Sequence, residues 1–251
     1  MKTTKNCNFK FRLFLKTIIF FLVLYHSNAV SGHKTVIYCF PGQGSDSRLF
    51  DSIRIDTALY KLSFIKYHTP EKWMNMKDFA YSLISQIDTL NPFVLLGVSL
   101  GGMLCIELNE KLKPLKTIII SSAKNRNEFP VRYRFQKTIP LYKVLPKSFL
   151  LVGAKMMQPL VEPDRNKNKE TFKKMLNEKN ATYMKRSINL IIKWERTENT
   201  DKSYHIHGDN DRTLPIRYIQ NPDYIVVNGS HMMTLTRWAE ISCILSDILS
   251  I

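Results

Sequence analysis

The sequence contains little cysteine, with four among 251 residues. Three of them, Cys39, Cys105 and Cys243, lie in apolar stretches after the N-terminal segment, where an unpaired cysteine behaves as a small hydrophobic residue. An odd number without close spacing argues against a disulfide framework and against a metal site. With 44% hydrophobic residues, the chain can instead form one substantial hydrophobic core.

The apolar run near the N-terminus is short. It spans residues 17–25, whereas a membrane-spanning helix needs about 20 apolar residues. Five basic residues and no acidic one precede it, and Ser27, Asn28 and Ala29 lie shortly after it, which is typical of a secretory signal peptide. We predict that residues 1–29 are a signal peptide and that the protein is exported to the periplasm or secreted. An uncleaved membrane anchor is the alternative.

Acidic residues are few, with 21 against 37 basic ones and a formal net charge of +16. Residues 124–200 hold 18 basic and 7 acidic residues, whereas the rest of the chain after residue 29 is balanced. This basic segment has two open interpretations. In the first, the basic residues form a solvated face and have no partner. In the second, they meet an anionic membrane surface or steer an anionic substrate. We do not expect a nucleic-acid partner.

Short apolar runs alternate with helical patterns from residue 34 onward. Strands are predicted over residues 35–40, 62–67, 93–98, 117–122, 203–207 and 224–227. Amphipathic spacing predicts helices over residues 76–87, 100–112 and 235–251. Alternation of this kind indicates parallel βαβ units, and near-continuous apolar strands indicate burial on both faces. The predicted fold class is therefore α/β, a mostly parallel sheet of about six strands covered by helices on both faces.

The alternation stops between residues 124 and 200. This segment is helical in pattern, basic and contains methionines, which suit a pocket of loose shape. We interpret it as a helical lid inserted into a core that is formed by residues 30–123 and 201–251. Its apolar residues are expected to pack within the lid or against the core, and some to wall an acyl pocket.

One motif lies between a predicted strand and a predicted helix. Residues 97–101 read Gly-Val-Ser-Leu-Gly, and Gly-x-Ser-x-Gly in this setting is typical of a nucleophile elbow. Gly97 and Gly101 leave room for a strained turn. A plain βα turn is the alternative, but the motif favours Ser99 as a nucleophile.

A serine hydroxyl needs a base to take its proton. His231 follows the last predicted strand, and Asp209 and Asp211 follow the strand before it. Ligands gather at these carboxyl ends of parallel strands. We predict His231 as the general base and Asp211 as the acid that orients it. Asp209 is the competing acid, although a short side chain directly after Gly208 more often ties down a turn.

An oxyanion requires two aimed hydrogen-bond donors. The backbone N–H groups of Leu100 and Gln43 are the candidates, and Gly42 and Gly44 let the loop around Gln43 approach a substrate. The spacing Gly42-x-Gly44 also begins a dinucleotide fingerprint, but Ser47 stands in place of the third glycine. We therefore expect no dinucleotide at this loop.

With these motifs in order, the chain resembles the α/β-hydrolases, in particular small bacterial members with a Pro-Gly-x-Gly oxyanion loop. The resemblance covers residues 34–251 and rests on Pro41-Gly42-Gln43-Gly44, residues 97–101, residues 208–211 and Gly229-Ser230-His231. Many relatives have His-Gly where this chain has Pro41-Gly42, and the early antiparallel strands of larger relatives are missing. The family's cap follows the fourth strand counted here, which is where residues 124–200 lie.

The resemblance implies acyl transfer in two steps. Ser99 attacks an acyl carbonyl, His231 moves the proton, and water hydrolyses the acyl-enzyme, without a metal or cofactor. We expect a serine hydrolase of an acyl ester or thioester. Carboxylic esters, thioesters and lysophospholipids remain open as substrates. Acyl transfer to an alcohol, and a binding protein that kept the fold without catalysis, are the alternatives.

Overall fold

The computed structural model describes residues 2–3, 34–140, 162–178, 180–198 and 202–250. Its strands are β1 (Lys2–Thr3), β2 (Thr35–Phe40), β3 (Tyr60–Phe64), β4 (Phe93–Val98), β5 (Lys116–Ile120), β6 (Tyr204–Gly208) and β7 (Tyr224–Val226). They form one sheet in the order β1-β7-β6-β5-β4-β2-β3, and every pairing is parallel.

Seven α-helices accompany the sheet in the described part of the chain. They are α1 (Met76–Ser82), α2 (Leu100–Leu112), α3 (Val131–Thr138), α4 (Lys169–Asn177), α5 (Ala181–Ile192), α6 (Met233–Thr236) and α7 (Trp238–Ser250). None of the described helices is both long and apolar enough to cross a membrane.

The α/β prediction with a parallel sheet is confirmed, and the six predicted strands correspond to β2 to β7. The bounds of β2, β4 and α2 agree with the predicted ones, whereas β3 lies at residues 60–64 instead of 62–67. The strand β1 was not predicted. It lies inside the predicted signal peptide and pairs with Tyr224 and Ile225. Apart from Lys2–Thr3, residues 1–29 lie outside the described residues, and cleavage there stays a prediction.

Successive side chains along a strand point to opposite faces of the sheet, and each face carries one hydrophobic cluster. Along β4, Phe93 and Leu95 belong to one cluster, whereas Val94, Leu96 and Val98 belong to the other. Helices α1 and α2 cover the first face and α7 covers the second. Helices on both faces are thus confirmed, and the buried strands explain the near-continuous apolar runs.

The bonding state of the cysteines agrees only in part with the expectation that they are unpaired. Cys39 and Cys105 are free and buried, as expected. Cys243 is disulfide-bonded, so the expectation of unpaired cysteines is wrong for this residue.

The insertion, residues 124–200, connects β5 to β6 and packs against the core through both clusters. Leu190 and Trp194 join the first cluster, and Phe172 and Met175 join the second. The buried Trp194 indole also donates to the Glu107 carboxylate of α2 at 2.8 Å. Residues 141–161 of the predicted lid lie outside the described residues, and its role as a lid stays an interpretation.

Candidate active site

Ser99 lies on a strained turn between β4 and α2. Its φ of 53° and ψ of −118° are rarely adopted by a residue with a side chain. The turn needs glycine on either side, because a Cβ at Gly97 would lie 2.3 Å from the Gly101 carbonyl oxygen and one at Gly101 would lie 2.0 Å from that of Phe40. The Ser122 hydroxyl donates to the Ser99 carbonyl at 2.7 Å. These contacts hold the Ser99 side chain at the carboxyl edge of the sheet.

The structure brings Ser99, His231 and Asp211 into one hydrogen-bonded chain. The Ser99 Oγ atom lies 2.9 Å from His231 Nε2, and His231 Nδ1 lies 2.8 Å from Asp211 Oδ2. Because an ionised carboxylate only accepts, Nδ1 carries the hydrogen and Nε2 is left to accept from the Ser99 hydroxyl. His231 and Asp211 are buried at 7% and 3% exposure.

Both oxygens of the Asp211 carboxylate accept hydrogen bonds. Its Oδ1 atom accepts the backbone N–H groups of Thr213 and Leu214, both at 2.8 Å. Burial raises the pKa of Asp211, but its partners, with His231 first among them, outweigh burial and the net shift is downward. Burial likewise lowers the pKa of His231, but the Asp211 carboxylate outweighs it and the net shift is upward. The two groups therefore stabilise each other's charged forms.

Asp209 has a different place. It is exposed, and its Oδ1 atom accepts the Asn228 N–H at 2.6 Å. This bond ties the loop after β6 to the loop after β7. Asp209 thus fastens the turn, the role that its position directly after Gly208 suggested.

The predicted oxyanion loop lies against the serine. A Cβ at Gly42 would lie 3.3 Å from Ser99 Cβ, and Gly44 has a φ of +76°. Within the described part of the chain, the N–H groups of Gln43 and Leu100 donate to no protein acceptor. Both remain available for an oxyanion beside the N-terminus of α2.

The side chain of Gln43 has a role that the sequence did not indicate. Its Nε2 atom donates to Ser187 Oγ at 2.9 Å and to the Met184 carbonyl at 3.3 Å, both on α5. The oxyanion loop is therefore fastened to the insertion. The Gln43 side chain is 144 positions from Ser187, so no local pattern could reveal the contact.

A cavity of about 470 Å³ opens above Ser99 and His231, a size that is ordinary for small-molecule sites. Core and insertion both contribute to its walls. The apolar lining residues are Met103, Tyr133, Phe172, Met175, Met184, Ile191, Leu214 and Met232. Its charged lining residues besides His231 are Arg132, Glu162 and Arg212. Met175 and Met184 of the insertion thus line the cavity, as expected for some of the apolar residues of this segment.

Glu162 is a second residue that sequence reasoning missed. It is 4% exposed and accepts the backbone N–H of Met232 at 3.2 Å. Burial outweighs the attraction of the neighbouring His231 and raises the pKa of Glu162 to about 7. A titratable carboxyl therefore lies next to the proposed base.

No group of histidine, cysteine, aspartate or glutamate side chains in the described part of the chain could hold a metal ion. The expectation that no metal or cofactor is needed stays a prediction.

No protein-family model matches the sequence, and no curated protein matches it. Solved structures do. An enol-lactonase from Burkholderia xenovorans LB400 has a TM-score of 0.68 at 12% identity and covers 88% of this chain and 94% of its own. A thermophilic esterase from Thermogutta terrifontis has a TM-score of 0.64 at 12% identity, with 87% and 90% covered. Est816, an N-acyl homoserine lactone degrading enzyme, has a TM-score of 0.61 at 14% identity, with 85% and 93% covered. At such identities the likeness concerns the fold, and the chain has the α/β-hydrolase fold.

Proposed function

We propose that this protein is a serine hydrolase that cleaves an acyl ester or thioester. The observation that carries the proposal is the hydrogen-bonded chain from Ser99 Oγ through His231 to Asp211, in which Ser99 and His231 line a cavity. A serine on a strained elbow with an imidazole acceptor at 2.9 Å has the geometry of an activated nucleophile.

The mechanism has two steps. His231 Nε2 takes the proton as Ser99 Oγ attacks the acyl carbonyl, and the resulting imidazolium returns it to the leaving oxygen or sulfur. Water then attacks the acyl-enzyme with His231 again as base, and the acid is released while Ser99 regains its proton. Asp211 holds the imidazole in the required tautomer and stabilises the imidazolium.

Two backbone donors stabilise the charge that develops on the acyl oxygen. Gln43 N–H and Leu100 N–H are the two donors, and neither has a protein acceptor in the described part of the chain. Preorganised donors of this kind are worth about 10²–10³ in rate each. The N-terminus of α2 adds a favourable dipole.

The cavity supports an apolar acyl group. Half of its lining residues are methionine, aromatic or branched aliphatic, and several of these come from the insertion. The similar structures include a thermophilic esterase and an enol-lactonase.

The test is a hydrolysis screen of the full chain with p-nitrophenyl esters and acyl thioesters of graded chain length. We expect turnover that depends on Ser99 and an optimum at a chain that fills the cavity. The Ser99→Ala variant, purified in parallel, measures the background. If no ester or thioester is hydrolysed faster than by this variant, the proposal is wrong.

A further inference from the structure

Two buried histidines lie behind the site and have no part in the proposed mechanism. His205 and His207 lie two positions apart in β6, on the same face of the strand, and both are fully buried. Burial lowers the pKa of each, so both imidazoles are neutral near pH 7. In a buried neutral imidazole, the partners of the two nitrogens indicate which nitrogen carries the hydrogen.

The partners of His207 determine where its hydrogen lies. Its Nε2 atom is 2.8 Å from the Leu214 carbonyl oxygen, and a carbonyl only accepts. Nε2 therefore carries the hydrogen, and Nδ1 accepts from His205 Nε2 at 3.1 Å. The Leu214 carbonyl thus fixes the tautomer of His207, and this tautomer requires the hydrogen of His205 on Nε2.

The hydrogen on His207 Nε2 points to the loop that carries the proposed acid. The Leu214 peptide is held on both sides, since its N–H donates to Asp211 Oδ1 and its carbonyl accepts from His207. The same Nε2 atom lies 3.5 Å from Asp211 Oδ2, the oxygen that binds His231. One imidazole N–H therefore faces both the loop and the carboxylate.

We propose that His207 is a positioning residue that holds Asp211 in line with His231. This inference rests on the proposed function, because its effect on rate passes through Asp211 and His231 to Ser99. The chain runs from His205 to His207, to Leu214 and Asp211, and then to His231. His207 touches no substrate in this arrangement.

The experiment is a double-mutant cycle in the full chain. His207→Leu removes the N–H, and His207→Gln keeps a donor on a side chain of similar reach. Each is made alone and with Asp211→Asn. The readouts are the rate at which a fluorophosphonate labels Ser99, and kcat and KM for one ester. The exposed His68, which bonds Ser82 Oγ, provides the control variant His68→Leu.

We expect His207→Leu to lower kcat and the labelling rate about 10- to 100-fold with KM within about threefold, because the substitution leaves the buried Leu214 carbonyl without its donor and removes the N–H that faces Asp211. His207→Gln should recover most of the loss. With Asn at position 211, His207→Leu should change labelling less than about threefold, and His68→Leu should have no effect. Equal losses in both backgrounds would overturn the proposal.

The outcomes separate the two claims. If the unaltered chain is not labelled on Ser99, the proposed function fails. If Ser99 is labelled but Asp211→Asn alone leaves the labelling rate unchanged, the proposed function stands and the positioning role of His207 is wrong. If His207→Leu does not fold, nitrogen NMR of the histidines in the unaltered chain decides. The proposal requires the hydrogen of His207 on Nε2, and a hydrogen on Nδ1 would contradict it.

Discussion

His231 Nε2 lies 2.9 Å from Ser99 Oγ, although the two residues are 132 positions apart. Ser99 directly follows β4, and His231 follows β7 at the same edge of the sheet. Parallel strands with their carboxyl ends at one edge bring the following loops together. The functional predictions below depend on this juxtaposition.

Substitution of the two aspartates in the loop after β6, Asp211 and Asp209, should have different effects on kcat. Asp211→Asn should lower kcat by about 10⁴, because the amide no longer holds His231 in its required tautomer. Asp209→Asn is the matched control, since it alters only the bond to Asn228, and we expect kcat within about twofold. Initial rates on one ester measure both. A larger loss for Asp209→Asn would mean that Asp211 is the wrong acid.

The bond from Gln43 to α5 should matter for turnover. Gln43→Ala keeps the backbone N–H but frees the loop, and we expect kcat to fall several-fold while KM changes less, since one oxyanion donor contributes about 10²–10³. Ser187→Ala removes one of two acceptors and should have a smaller effect. Ser82→Ala, at an exposed serine bond with His68, is the control. An unchanged kcat for Gln43→Ala would contradict the account of the loop.

Glu162 should make stability depend on pH. Its pKa in the folded protein is raised to about 7, above the unfolded value of about 4.3. Between these values the folded state binds more protons than the unfolded one, so this group lowers the free energy of unfolding as pH rises. The free energy of unfolding of Glu162→Gln, relative to that of the unaltered chain, should therefore increase from pH 4.5 to 7. Above pH 7 this difference should stay constant.

Urea unfolding at four pH values from 4.5 to 8.5 measures this difference. Glu170→Gln, at an exposed carboxyl in the first turn of α4, is the control variant. A Glu162→Gln stability difference that is flat over this range would contradict the raised pKa.

We also propose that the basic insertion meets an anionic membrane surface. Such attraction is screened over about 8 Å at physiological salt. Sedimentation of the protein with anionic but not neutral vesicles, lost at high salt, would support this. Salt sensitivity of kcat/KM confined to an anionic ester would instead indicate substrate steering. If neither responds to salt, the excess charge is a solvated face.

The sequence predicted those parts of the site that depend on local pattern. Residues 97–101 carry their own strand, turn and helix signals, and the turn at Ser99 has the expected geometry. The loops of Asp211 and His231 follow strands with clear apolar runs, so their place at the carboxyl edge could be anticipated. Their catalytic roles remain predictions.

Other features depend on contacts that are distant in sequence. Glu162 reaches Met232, and Gln43 reaches Ser187, through folding of the insertion onto the core. The bounds of β3 differ from the predicted ones because they depend on its pairing with β2. The apolar residues of this segment alone are compatible with either set of bounds. The break between α6 and α7 was also missed, because Leu235 and Trp238 keep helical spacing across Arg237.

The central claim is that Ser99 is an activated nucleophile, and covalent labelling tests it most directly. The full chain is incubated with a fluorophosphonate, and intact mass and peptide mapping locate the adduct. We predict one adduct on Ser99, its absence in Ser99→Ala, and labelling at least about 10³-fold slower in His231→Ala. An unlabelled protein, or an adduct that persists in Ser99→Ala, would contradict the account.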